Sequence, residues 1–466
     1  LTKLEGLSLA YNNIELLSLS MVERFQSYPK LKYLDLSHNS LSTFNDNLSK
    51  LKGLERLFLS GNQLNSVKLS NRKLSVLDLS SNLFRSYPEM LPSSLSILNL
   101  ASNSIKSISP ITSNIVELRL QMNELTSISE GAYFPNLKVL DISKNNIQTL
   151  PNVAKIAPSL TYFNGSSNLM TVLPTLPPGI VEIHMSHNQI ETVDNLNTMY
   201  PKLECLNLSH NQLKVMSTLP SSLVSLFLSF NQLRSFLPSK LPKLDLLQLS
   251  NNELAEFPNY VMKNVSMIDL SNNLFTQIPP NLPKSLNVLD MCNNYVNQIG
   301  NELFKLPNLC ILLLTNNKIE SIPESIQQSN LTHLNVSMNL LTQLPSLPAS
   351  IRKLIASNNG LTSIPQSYSN LSSLHEIYIS NNQISDIPPL PYIHRVRASC
   401  NRITKFPTGL SSSVRIIDLS FNHISELPEL TQFPELIDLD ISHNQITTIP
   451  QSIQSCVNLL YLNLGF

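Results

Sequence analysis

The sequence predicts an α/β solenoid: a coil of short parallel strands joined by extended, 3-10 or briefly helical return segments. Three observations carry that prediction. The stretch from Leu203 to Leu213 reads L-x-x-L-x-L-x-x-N-x-L, and the same eleven-residue pattern returns along the whole chain. Its asparagine recurs from Asn12 to Asn444 in 20 steps over 432 residues, a mean period of 21.6. Within each copy, apolar and polar residues alternate, and period two belongs to a strand.

The alternation is clear near the C-terminal end. Leu436, Leu439 and Ile441 are expected to point inward, and Asp438 and Asp440 outward. Each such segment is then a short parallel strand, and stacked copies lie ~4.8 Å apart. The asparagine follows where the chain leaves the strand. A side-chain amide there can pair backbone groups of adjacent turns that would each cost about 1–3 kcal/mol if buried unpaired. The ladder asparagines are therefore expected to be structural.

Return segments come in two kinds. In the longest interval, Asn12 to Asn39, residues 19–25 can form a short helix ending near Tyr28 and Pro29. Short units carry Leu-Pro-x-x-Leu segments at Leu91, Leu219 and Leu282, and Leu176 and Leu347 open similar ones that close on Ile180 and Ile351, suited to an extended edge because proline lacks a donor. Longer units place Pro323 and Pro450 at an expected first helical position. At the third inward position Gly165, Ala356 and Ala398 replace larger residues. Repacking by a neighbour such as Phe163 or Phe406 is expected there, with a dent or hinge as the alternative.

On this pattern the chain is identified as a member of the leucine-rich-repeat family. That resemblance implies a horseshoe with a parallel β-sheet on the concave face and extended, 3-10 or short helical segments on the convex face. It implies one solenoid over residues 1–466, with about 21 full repeats and one cut short. Leu1 already lies inside a repeat and Phe466 stops one residue before an asparagine is due, so a fragment of a longer protein is expected. The mixed proline-bearing units resemble the arrays of Ras-pathway scaffolds and those linked to PP2C-type phosphatases and adenylate cyclases.

Composition narrows the function. The chain has 32 basic and 32 acidic residues and no basic stripe, which argues against nucleic acid or an anionic membrane as partner. Charged residues are 14%, against a usual ~25%, so recognition is expected to rest on shape and hydrogen bonding. No apolar run approaches the ~20 residues of a membrane span. The cysteines Cys205, Cys292, Cys310, Cys400 and Cys456 are scattered, with none of the terminal disulfide clusters usual in extracellular arrays. A cytoplasmic, reducing location is expected on that ground. N-X-[ST] triplets at Asn47, Asn164, Asn207, Asn264, Asn330, Asn335 and Asn370 are attributed to a composition rich in Asn and Ser.

No phosphate loop, Cys-x-x-Cys or zinc pattern appears, so no catalytic residue, cofactor or metal is expected. His38, His187, His210 and His443 precede ladder asparagines and read as turn residues. Outward aspartates such as Asp269 and Asp290 read as a solvated wall rather than a cation site. That leaves the concave face as a surface for a protein partner. Phe58, Arg119, His184 and Phe227 depart from the Asp or Asn default at the middle outward position. The densest departures are Ile311, Leu313, His333, Lys353, Ile355, Glu376, Tyr378, Arg395 and Arg397, expected side by side as a contact patch.

The expected function is a protein–protein recognition module, scaffold or substrate-targeting, of an intracellular signalling protein. A PP2C-type phosphatase domain outside residues 1–466 is what the resemblance implies. The rivals are a substrate-recognition array of a bacterial effector ubiquitin ligase and the ectodomain of a surface receptor.

Overall fold

The computed structural model describes residues 2–44, 48, 50–216, 218–238, 240–258 and 262–465. Asn47 of the triplets, and Leu1 and Phe466 at the ends of the expected 1–466 solenoid, lie outside them. The chain forms two compact units, Leu1–Gln232 and Leu233–Phe466. Each is a parallel-sheet solenoid with few helices.

In the Leu1–Gln232 unit, three-residue strands follow one another from Gly6–Ser8 to Ser225–Phe227, each paired in parallel with the next. In the Leu233–Phe466 unit the same succession runs from Leu246–Gln248 to Tyr461–Asn463. The register has no offset: Leu34 faces Leu57, Leu57 faces Leu77, and Leu77 faces Leu98. All four are fully buried. Burying one such side chain stabilises by about 1.5–3 kcal/mol, so the inward column fixes the register that the outward residues must then share. The expected inward Leu436, Leu439 and Ile441 are buried, and Asp438 and Asp440 stand outward.

From Asn39 onward the ladder asparagines tie their own repeat to the one before. Asn211 Nδ2 donates to Met185 O at 2.9 Å and Leu208 O at 3.0 Å, and its Oδ1 accepts from Ile190 N at 2.9 Å. Met185 and Ile190 belong to the preceding repeat. The amide thus closes the strand's exit on one side and the neighbour's backbone on the other, which no residue with only donors or only acceptors can do.

The residue before the asparagine takes a left-handed backbone: His38 has φ 52, His210 φ 56 and Gly61 φ 64. Turn residues with this φ project along the flank, and their rings stack. His210 lies 4.0 Å from His187 and 4.1 Å from Phe230, both pairs near parallel; Tyr11 stacks on His38 at 4.4 Å. A Cβ on Gly61 would meet His38 Nδ1 at 2.5 Å. Gly61→Ala is therefore expected to lower stability by about 1–2 kcal/mol, from the left-handed backbone and the displaced ring, measured by urea unfolding.

The stack has a pH signature. Burial and the neighbouring His187 both lower the pKa of His210 below the ordinary imidazole value. A His whose folded pKa is depressed binds fewer protons than the unfolded chain, so its contribution to stability is complete above the unfolded pKa of 6.5 and is lost as pH falls below it. NMR titration is expected to place the His210 midpoint below that of an unfolded-chain histidine, and His187→Ala to raise it.

Return segments differ from expectation in detail. The Leu19–Gln26 helix forms as expected, with Ser18 as N-cap. Pro323 and Pro450, however, sit at the N-cap of the 3-10 helices Glu324–Gln328 and Gln451–Ser455, one residue earlier than expected, with extended backbone. In the Leu-Pro-x-x-Leu segments the proline carbonyl opens a turn, accepting from Leu95 N, Leu223 N and Leu286 N three residues on. The serine before the closing leucine has a role that pattern reading missed. Ser222 Oγ donates to Leu203 O at 2.6 Å, and Ser94, Ser285 and Ser350 reach Leu74, Val265 and Leu331 in the same way, binding each return to the preceding repeat.

At Gly165 the missing side chain is replaced by neighbours: a Cβ there would meet Met185 Sδ at 2.7 Å and Met170 Cε and Phe163 Cε1 at 3.0 Å. Ala356 and Ala398 are fully buried.

Candidate functional site

Five consecutive strands of the Leu233–Phe466 unit carry all nine expected patch residues. In the first outward row Ile311 faces His333, His333 faces Lys353, Lys353 faces Glu376, and Glu376 faces Arg395. In the second row Leu313, Asn335, Ile355, Tyr378 and Arg397 succeed one another. Between the rows Leu312, Leu334, Leu354, Ile377 and Val396 are buried, so the two rows stand on a fixed floor. The first seven patch residues are half-buried, and Arg395 and Arg397 are exposed.

The polar half is cross-linked. Glu376 Oε2 lies 2.9 Å from Lys353 Nζ and accepts from Tyr378 Oη at 3.1 Å; Glu376 Oε1 lies 3.6 Å from Arg395. Burial alone would raise the Glu376 carboxyl. The bonds from Lys353 and Tyr378 and the charges of Lys353 and Arg395 outweigh it, leaving its pKa below the ordinary value. The Tyr378 ring in turn has Lys353 Nζ 5.0 Å and Arg397 Cζ 5.8 Å from its centroid. A carboxylate with two cations, and a ring with two cations, hold one another's rotamers.

Beyond Arg395 and Arg397 the rows continue as Ile416 and Asp418, then Asp438 and Asp440. Burial raises the pKa of Asp438, with Asp440 and Asp418 adding to it and Arg397 opposing. This acidic margin belongs to the same face as the patch. Asp418 and Asp440 are the default of the second row, and only the register makes Asp418 a neighbour of Arg397.

Elsewhere, Asp269 and Asp290 face each other across adjacent strands, and burial, with Asp269 adding, raises Asp290. Among the described residues no group of three or more His, Cys, Asp or Glu is arranged to hold a metal ion. In the Leu1–Gln232 unit Arg119 pairs with Glu117 at 2.6 Å, and His184 with Glu182 at 3.4 Å beside the Tyr162 ring. Phe58 packs against Tyr33, itself covered by Arg56. Among the described residues no helix is long and apolar enough to cross a membrane.

Stacked strands, an amide ladder and an outward face of varied side chains define a repeat solenoid. Comparison with known proteins agrees. The family model described as "Leucine rich repeat" matches residues 2–64, 113–170, 284–341 and 412–466, together half of the chain. "Leucine Rich repeats (2 copies)" matches residues 350–392. The chain belongs to the leucine-rich repeat family. It is a protein-interaction module, and the leucine-rich repeat solenoid is a recognition fold rather than a catalytic one.

Among relatives, podocan-like protein 1 of Homo sapiens is 30% identical over 203 residues, covering 35% of this chain and 40% of its own length. Osteomodulin of Rattus norvegicus is 34% identical over 165 residues, covering 32% and 39%. The matches span about two-fifths of the length of these curated relatives. Among solved structures, YopM from Yersinia enterocolitica WA-314 superposes with TM-score 0.63 at 26% identity, over 96% of this chain and 90% of YopM. The Arabidopsis receptor kinase HAESA, in complex with the peptide hormone IDA and the co-receptor SERK1, gives 0.62 at 25%, over 99% and 86%.

These findings correct the cytoplasmic placement. Podocan-like, osteomodulin and lumican relatives are secreted or extracellular, and receptor ectodomains are among the structural neighbours; together they point to the extracellular side. The intracellular type, and a kinship with Ras-pathway, PP2C-linked or cyclase-linked arrays, find no support in them. The cysteine argument failed for a physical reason. Cap disulfides mark the ends of an array, whereas the five cysteines here occupy ordinary repeat positions. Cys205 stands on a strand, Cys292 just after one, Cys400 at a left-handed turn, and Cys456 is buried. Such residues are silent about the redox compartment.

Proposed function

We propose that the chain is the extracellular recognition module of a receptor or matrix protein, binding a protein or peptide across the strand face of the Leu233–Phe466 unit. The observation that carries this reading is the patch around Tyr378. Ile311, Leu313 and Ile355 supply apolar area, and Lys353, Glu376 and Arg397 fix the ring beside it. A rigid aromatic next to apolar side chains and arginines has the composition of a binding hot spot, and its prior ordering lowers the entropy lost on association. HAESA, with its peptide hormone, is a structural neighbour with a partner of that class. The likeness to YopM supports a second reading, a bacterial recognition array using the same face.

The test uses the full chain, secreted and immobilised, against arrayed sets of secreted proteins and peptides and of cytosolic proteins. Ile355→Asp should abolish capture. Asp is at home at that position, since Asp418 and Asp440 occupy it in other repeats, so the variant keeps its fold. Phe58→Asp, on the other unit, should leave capture intact. Binding that survives Ile355→Asp would remove the face assignment, and capture of cytosolic proteins alone would remove the extracellular reading.

A further inference from the structure

We propose that Asn264, Asn330 and Asn370 are attachment sites for N-linked glycans, on the Leu233–Phe466 unit and outside its strand face. The inference rests on the extracellular reading, because only a chain that enters the secretory route meets the transferase. Each residue opens an N-X-[ST] triplet, closed by Ser266, Thr332 and Ser372, and each is exposed. Composition alone gives such triplets no weight; their positions in the fold do.

Asn264 and Asn330 stand immediately before the fully buried Val265 and Leu331, where the return segment bends into the strand. Asn370 ends the Gln366–Asn370 3-10 helix. The Nδ2 of Asn330 donates to Pro307 O at 2.8 Å, and that of Asn264 to Pro242 O, each a carbonyl of the preceding repeat. An amide nitrogen carries two N–H groups. Replacing one by a glycosidic bond leaves the other for this contact, so a glycan here is compatible with the repeat-to-repeat link.

The described triplets that are not assigned are arranged differently. Asn164, Asn207 and Asn335 lie half-buried on strands, where their Oδ1 atoms accept from Ser166, Ser209 and Ser337 N–H groups. Asn335 stands between Leu313 and Ile355, within the patch. Glycans at the three assigned positions leave that face open.

The step balances with a lipid-pyrophosphate-linked oligosaccharide as donor. A bond forms from Nδ2 to the sugar C1, the C1–O bond to pyrophosphate breaks, the lipid pyrophosphate departs, and one Nδ2 proton goes to the transferase's base.

The experiment secretes the full chain from a eukaryotic cell behind an added leader and releases glycans enzymatically in ¹⁸O water, which leaves labelled Asp at every occupied Asn. Label at residues 264, 330 and 370 is expected, with Asn330→Gln and Thr332→Ala each removing one glycan step in mobility. Folded, secreted chain with all three positions unlabelled would overturn the proposal. Because the leader forces entry, that failure is distinct from failure of the extracellular reading. The latter is read separately, as protection of the native protein from protease added to intact cells.

Discussion

Asn211→Ala is expected to lower the stability of the Leu1–Gln232 unit by about 2–4 kcal/mol, among the larger losses available to a single substitution. The groups released are not equivalent. Met185 O also accepts from Asn188 Nδ2, and Leu208 O from Asn231 Nδ2, so each carbonyl keeps a partner. The Ile190 N–H loses the Oδ1 it donates to, and a buried N–H without a partner carries the larger share of the cost, with the space left by the amide adding the rest. Asn211→Asp separates these effects. It restores the acceptor for Ile190 but sets carboxylate oxygens against the Met185 and Leu208 carbonyls. Burial and those carbonyls raise the pKa of the introduced carboxyl, so its folded form binds protons that the unfolded chain does not. Relative to wild type, this variant should gain stability as pH falls toward that raised pKa, because a protonated carboxyl can donate where Nδ2 did. Urea unfolding followed by circular dichroism at pH 7 and pH 5 reads both results. An Asn211→Ala midpoint equal to wild type would show that the ladder is dispensable.

That asymmetry bears on what sequence can show. The period, the inward leucines and the structural nature of Asn211 were legible because each is fixed within one repeat: alternation sets the face, and the amide's dual character sets its place. Contacts between repeats were less so. Ser222 reads as a turn residue until its hydroxyl is seen on Leu203 O, nineteen residues away. His187, His210 and Phe230 read as unrelated turn fillers, yet the left-handed φ they share aligns their rings. For the patch, strand alternation put Lys353, Glu376 and Arg395 on one face, and equal register then made them neighbours. The ion pairs could have been read by aligning the first strand position of successive repeats. The compartment reading failed for another reason: it rested on missing terminal cysteine clusters, and a missing cap cluster does not report the redox compartment of an array.

Tyr378→Ala should weaken partner binding by about 2 kcal/mol, roughly 30-fold, while leaving the fold in place. The fold survives because Tyr378 points away from the buried column, whose neighbouring member Ile377 is fully buried. Binding suffers on two counts. The ring supplies aromatic contact area, and it orders its neighbours through the bond to Glu376 and the positions of Lys353 and Arg397 over its faces. Tyr378→Phe distinguishes the two: it keeps the ring for both cations and loses only the bond to Glu376, so its effect should be below about 1 kcal/mol. Arg397→Ala should cost binding as well. A double-mutant cycle between Tyr378 and Arg397 should show coupling of about 0.5–1 kcal/mol, since removing the ring also removes what holds the guanidinium. Because Lys353, Arg395 and Arg397 are offset by Glu376 together with Asp418, Asp438 and Asp440 on the next two strands, affinity should change little with salt. Calorimetry on wild type and the four variants decides the matter. If both alanine variants bind as wild type does, the partner lies elsewhere on the chain.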